Sequence, residues 1–185
     1  MLGTLELGDG KAIDETAFRA FFTALAPEVR RWAARTVGID AADDVVAETF
    51  VVAWQRRDQL PSEGDHRRAW IFVVARHKAA HARSRQGRDS ALWRRLADAP
   101  DSGVSSDIAD GVVSSSHAEA VLRDLSKEDR EVLLLVGVDG LSPEDAAAVL
   151  GCSTTAMTTR LSRARRRLES RLREAEPAEA LRRVP

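Results

Sequence analysis

Thr155, Thr158, Thr159, Ser162, Arg163 and Arg166 share one side of a helix-period stretch, with Ser153 and Thr154 just ahead of them. Hydroxyls and guanidiniums are the groups that bond base edges and phosphates, so this set suits the major groove of a duplex. A second set is basic: Arg68, Arg76, His77, Lys78, His81 and Arg83, with Trp70 near its start. Cations for phosphates and a ring for a displaced base are what single-stranded or melted DNA requires. For the aromatics taken alone, burial in a core is the simpler reading. A third set, Asp43, Asp44, Glu48, Val51 and Gln55, mixes carboxylates with an apolar residue on one helix side. Such a face is either solvated or a protein interface.

Other chemistries find little support. His77 and His81 stand four apart, as helical metal ligands do, but no Glu lies between them and the neighbours are cationic. No metal site and no cofactor are expected. The lone Cys152 permits no intramolecular disulfide and suits a small half-buried position. No Ser, Cys or Lys is placed beside a general base, so no catalytic residue is expected and the chain is not read as an enzyme. Formal net charge is −1, yet Asp and Glu are absent from His66 through Arg88 and from Gly151 through Leu168. Lys and Arg are absent from Leu96 through Leu122. Two basic blocks separated by an acidic spacer point to nucleic acid.

These residues need helices to hold them. Ser142 is an N-cap, Pro143 a first helical residue, and Gly151 a left-handed stop. Ser153 caps the next helix, whose inner face is Met157, Leu161, Ala164, Leu168 and Leu172. Two helices joined by a tight Gly turn make a helix-turn-helix. Ser126 and Asp129 resemble a capping box ahead of Val132, Leu133, Leu135 and Val136, with Gly140 as the stop. Earlier in the chain, Asp14 caps a segment that Pro27 kinks or divides and Gly38 closes. Asp40 is expected to cap a helix from Ala41 to about Arg57, with Ala42, Val45, Val46, Thr49, Phe50, Ala53 and Trp54 inward. After the turn LPSEGD, Trp70, Ile71, Val74, Ala75 and Ala79 face inward from a helix over Arg67–Arg88, and Phe72 and Val73 fall off that stripe. No strand-like alternation appears, so the fold class is all-α, two small helical domains on a flexible linker. The expected division is a tail at 1–13, a domain at 14–92, an acidic linker at 93–117, a domain at 118–173 and a Pro-broken tail at 174–185.

Taken together, AADDVVAETFVVAW (41–54), AWIFVVAR (69–76) and LSKEDREVLLLVGVDGLSPEDAAAVLGCS…RLSRARRRL (125–168) resemble the bacterial extracytoplasmic-function (ECF, group 4) sigma factors of the sigma-70 family. The first domain is similar to sigma region 2 and the second to sigma region 4. The resemblance implies promoter-specific initiation with RNA polymerase core, contacted through its β′ clamp helices and β flap. It places Asp43, Asp44, Glu48, Val51 and Gln55 on the clamp helices. Arg68, Trp70, Arg76, His77, Lys78, His81 and Arg83 fall to the melted −10 strand. Ser153, Thr154, Thr155, Thr158, Thr159, Ser162, Arg163 and Arg166 fall to the −35 duplex. An anti-sigma protein is a further partner that the family implies. Two positions depart from the family pattern: Thr158 stands where Lys or Arg is common, and His77 where Asn is common.

Two rivals are weaker. A response-regulator-type activator shares a similar four-helix DNA-binding domain but needs a receiver domain with alternating strands. A resolvase-like recombinase needs a mixed α/β catalytic domain, whereas residues 14–88 read as helical throughout. No apolar run reaches membrane-span length and no signal-peptide pattern opens the chain, so a cytoplasmic location without membrane insertion is expected.

Overall fold

The computed structural model describes residues 13–62, 64–96, 122 and 124–182, with side chains described for 13–62, 64–88, 122 and 124–174. Among these residues there are helices and turns and no strand. The helices are α1 (Glu15–Val37), α2 (Ile39–Gln55), α3 (Gly64–Leu96), α4 (Lys127–Gly137), α5 (Pro143–Leu150) and α6 (Thr154–Arg182). The chain divides into two compact units, one carrying α1–α3 and the other α4–α6.

In the first unit, the Asp14 carboxylate accepts the Ala17 N–H at 2.8 Å and opens α1. Pro27 neither divides nor ends this helix. Its ring faces solvent, while Leu25, Val29, Trp32, Ala33 and Val37 are buried on the other side and hold the turns together. Gly38, at φ 88°, closes α1 through its N–H to the Ala34 carbonyl at 3.1 Å. The same glycine is the N-cap of α2, so the helix begins at Ile39 and Asp40 lies inside its first turn instead of capping it. A side chain at that positive φ would be strained, which makes glycine the fitting residue for this abrupt turn. On α2 the buried stripe is Ala42, Val45, Thr49, Phe50 and Ala53, with Trp54 38% exposed at its edge. Thr49 is fully buried, and its hydroxyl donates to the Val45 carbonyl at 2.6 Å.

The start of α3 departs from the expected stripe. Every residue from Ala69 through Ala75 is buried, Phe72 and Val73 included. Periodicity assumes one wet side, but both α1 and α2 pack on α3. Leu60 and Pro61, in the preceding loop, are buried as well. Phe72 meets Trp32 edge-to-face at 6.1 Å. Each such fully buried aliphatic or aromatic side chain contributes about 1.5–3 kcal/mol. The backbone stays helical to Leu96, four residues into the stretch expected to be linker. The rest of that linker, the N-terminal tail through Lys11 and Ala12, and residues 118–121 lie outside the described residues.

The second unit has a cap at each point where a short helix needs one. Ser126 accepts the Asp129 N–H at 3.2 Å, and Ser142 accepts the Asp145 N–H at 3.0 Å. Gly151 adopts φ 68°, ψ 35°, and α5 closes with Cys152 N–H to Ala147 carbonyl and Gly151 N–H to Ala148 carbonyl. That pair of bonds is the Schellman arrangement, and it turns the chain through Gly151, Cys152 and Ser153 into α6. α4 ends at Gly137, ahead of the expected stop at Gly140, which instead takes φ 66° in the turn to α5. Leu125, Val132, Leu135, Leu141, Ala146, Val149, Met157, Leu161 and Ala164 are buried together as this unit's core. The backbone of α6 continues through Pro177 to Arg182, where a broken tail was expected. Proline removes one intrahelical bond, but the Ala-, Glu- and Leu-rich residues around it favour helix.

Candidate nucleic-acid and protein interfaces

α6 presents the first candidate surface. Ser153 accepts the Ala156 N–H at 3.2 Å and starts the helix. Met157, Leu161 and Ala164 point into the core, which turns Thr154, Thr155, Thr158, Thr159, Ser162, Arg163 and Arg166 outward, all exposed. Thr158 and Thr159 both donate their hydroxyls to the Thr155 carbonyl, at 3.0 and 2.9 Å. Their oxygens keep acceptor capacity, so this pair can accept from base amino groups, and a threonine methyl can touch a thymine methyl. Behind that face, Arg167 is ion-paired with Asp129 of α4, whose side chain is only 6% exposed.

α2 presents the second. Asp44, Glu48, Val51 and Gln55 follow at steps of four, three and four, so they form one stripe. Val51 is 54% exposed within it. Asp43 lies beside the stripe and is bonded to Arg30 of α1 at 2.6 Å. Glu48 is two-thirds covered because α3 reaches over it: Arg85 Nη2 lies 3.1 Å from one carboxylate oxygen and Lys78 Nζ 3.4 Å from the other. Burial pushes the Glu48 carboxyl up, but hydrogen bonds from Arg85 and Lys78 and their charges outweigh burial and hold it below the ordinary range.

α3 presents the third. His77, His81, Ser84 and Arg88 are exposed at helical spacing along its outer side. Among its described side chains, several cations turn onto the protein. Arg68 donates twice to Glu28 of α1, at 2.8 and 3.0 Å. Arg83 donates twice to the Thr36 carbonyl, at 2.7 and 3.0 Å, and Gln86 donates to the Val37 carbonyl at 3.3 Å. Those carbonyls are the open end of α1, where a cation also meets the negative end of the helix dipole. Arg67 ties the loop down through the Pro61 and Ser62 carbonyls at 2.8 and 2.9 Å.

Residues 21–89 match Sigma-70 region 2, and residues 118–168 match Sigma-70, region 4. The chain is 32% identical over 155 residues to the ECF RNA polymerase sigma factor EcfG of Rhodopseudomonas palustris strain TIE-1, covering 80% of this chain and 81% of that protein. It is 33% identical over 175 residues to the ECF RNA polymerase sigma factor SigC of Mycobacterium tuberculosis strain CDC 1551, covering 92% and 86%. The chain belongs to the ECF RNA polymerase sigma factors.

A sigma factor directs transcription initiation, and the activator reading is not favoured. Solved structures agree on the fold. This sigma factor superposes on RpoE of Bartonella quintana, solved with the anti-sigma factor NepR, at a TM-score of 0.61 and 28% identity, over 85% of this chain and 98% of that one. It superposes on CnrH, solved with the cytosolic domain of CnrY, at 0.57 and 29%, over 87% and 90%. CnrH is an RNA polymerase sigma factor of Cupriavidus metallidurans strain CH34.

Within this sigma factor, the residues expected at the −35 duplex share one exposed face. Those expected at the −10 strand do not. Trp70, which the spacing places inward and the resemblance places at the −10 strand, is 6% exposed and sits in the core. Arg68 and Arg83 brace α1, and Lys78 serves Glu48, which leaves His77 and His81 exposed, with Arg76 half-buried. Arg85 lies on the same basic face, but spacing does not show that it reaches Glu48, 37 residues away, or that Glu28 holds Arg68, 40 residues away. Among the described residues, no group of three or more His, Cys, Asp or Glu is placed to hold a metal ion. Cys152 is free and half-buried in the turn. No helix among the described residues is long and apolar enough to cross a membrane.

Proposed function

We propose that this group 4 ECF sigma factor carries RNA polymerase core to promoters whose −35 element is read by α6 and whose melted −10 strand is held by α3. Ser153, Thr154, Thr155, Thr158, Thr159, Ser162, Arg163 and Arg166 face the −35 duplex. Arg76, His77 and His81 meet the displaced strand. The stripe Asp44, Glu48, Val51 and Gln55, with Asp43 at its edge, docks on the β′ clamp helices, and the α4–α6 unit meets the β flap. The functional bodies are 14–92 and 118–173, with 93–117 as tether and 1–13 and 174–185 as flanks. The observation that carries this proposal is the hydroxyl and guanidinium face of α6, turned outward by the burial of Met157, Leu161 and Ala164. A cytoplasmic location, with no membrane insertion, follows from the proposed polymerase partner. An anti-sigma protein is proposed as a further partner, supported by RpoE of Bartonella quintana, which was solved with one.

Run-off transcription with core polymerase over a randomised promoter pool tests this. Enrichment of one paired −35 and −10 sequence is the expected result. No transcript above core alone overturns it. An activator would need a second sigma factor in the same reaction.

A further inference from the structure

Glu48 stands where two surfaces meet. It belongs to the α2 stripe with Asp44, Val51 and Gln55, and its carboxylate also receives Lys78 and Arg85 from α3, at 3.4 and 3.1 Å. Lys78 and Arg85 are seven residues apart, two helical turns, and their long side chains converge on that one carboxylate. The Lys78 side chain is 28% exposed and that of Arg85 52%. Partly exposed ion pairs at the surface are weak and exchangeable. A cationic group of a docking protein that approached the stripe would compete with both for Glu48. A bidentate arginine would bring a third cation against one carboxylate, and the repulsion among the three weakens its hold on both α3 side chains.

We propose that Lys78 and Arg85 are promoter-strand contacts held in reserve by Glu48 in the free sigma factor and released when core polymerase takes the α2 stripe. The ligand they would take is the phosphate backbone of the displaced strand. Release adds two cations to α3, beside the exposed His77, His81 and Arg88. The free factor therefore grips DNA less than its basic sequence predicts, and polymerase docking and strand capture reinforce each other. This rests on the sigma-factor function proposed above.

The test uses the full chain and its reconstituted holoenzyme on one fork-junction DNA from the selected promoter, with affinity measured against salt. Each phosphate contact to a single strand adds about 0.7 to the slope of log K against log salt. Lys78→Gln/Arg85→Gln should lower the holoenzyme's slope by about 1.4 and barely change that of the free chain. An equal change in both states, or none in either, overturns the proposal. Glu48→Gln in the free chain should raise the slope and tighten binding several-fold, and an unchanged slope also overturns it. Wild-type run-off transcription separates the two failures. If the wild type initiates but the slopes do not behave this way, only the reserve is wrong. If it does not initiate, the sigma-factor function falls first and the reserve with it.

Discussion

The two units treat their cations in opposite ways. On α6, Arg160, Arg163, Arg165 and Arg166 stand exposed, and Arg167 alone of this run is clamped to a buried carboxylate. On α3, Arg68, Lys78, Arg83 and Arg85 all bond to Glu28, Glu48 or the end of α1. The difference teaches that a basic block in sequence is not yet a DNA surface. A helix packed on one side leaves most of its cations exposed, whereas a helix gripped by two neighbours uses several of them as struts.

The sharpest way to break this contrast lies within α6, at two adjacent arginines. Arg167→Ala leaves the Asp129 carboxylate buried without its partner, and the second unit should lose about 3 kcal/mol. That is the low end for a buried pair, because the Arg167 side chain is itself 61% exposed. Arg166→Ala should change stability by no more than about 0.5 kcal/mol. Urea denaturation followed by helical circular dichroism reads both. Equal effects would mean that the clamp does not matter. Arg163→Ala comes next and moves binding instead of stability: about 1–3 kcal/mol of −35 duplex affinity should go, with relaxed preference at one base pair. A titration showing unchanged affinity and preference removes Arg163 from the reading face. The mirror experiment on α3 is Arg83→Ala. It should cost about 1 kcal/mol of stability through the uncapped end of α1, and leave the free chain's DNA affinity unchanged. A loss of DNA affinity with no loss of stability would return Arg83 to the DNA surface.

What could be read in the sequence follows the same divide. Met157, Leu161 and Ala164 against Thr158, Thr159, Ser162 and Arg163 is a pattern that one buried side imposes, and α6 obeys it. Ser126, Ser142 and Gly151 act locally, within three or four residues, so their caps were legible too. The burial of Phe72 and Val73 was not. A helix surrounded by α1, α2 and the Leu60–Pro61 loop is apolar all round and carries no period. Nor does spacing reveal that Arg68 reaches Glu28, 40 residues back. Gly38 doing the work expected of Asp40 has a simpler cause: one glycine both ends α1 and begins α2, leaving no room for a separate cap.

The smallest expected effect bears directly on Glu48. Its carboxyl is held below the ordinary 4.5, because the bonds and charges of Arg85 and Lys78 outweigh burial. A lowered folded-state value means that the pairing stabilises the fold fully above about pH 4.5, the unfolded value, and fades as pH falls through the folded one. Glu48→Gln lacks this contribution at every pH. Wild type should therefore exceed the variant above that point, by about 0.2–1 kcal/mol at most, since the side chain is 37% exposed and screened. The gap should close on acidification, and also in molar salt at neutral pH, where the Debye length shrinks to about 3 Å. Urea midpoints measured across pH and salt check both limbs. A gap that widens in acid reverses the sign and makes burial the dominant influence on Glu48. A gap indifferent to salt means that Lys78 and Arg85 do not hold this carboxylate by charge, and the contrast between α3 and α6 would then rest on Arg68 and Arg83 alone.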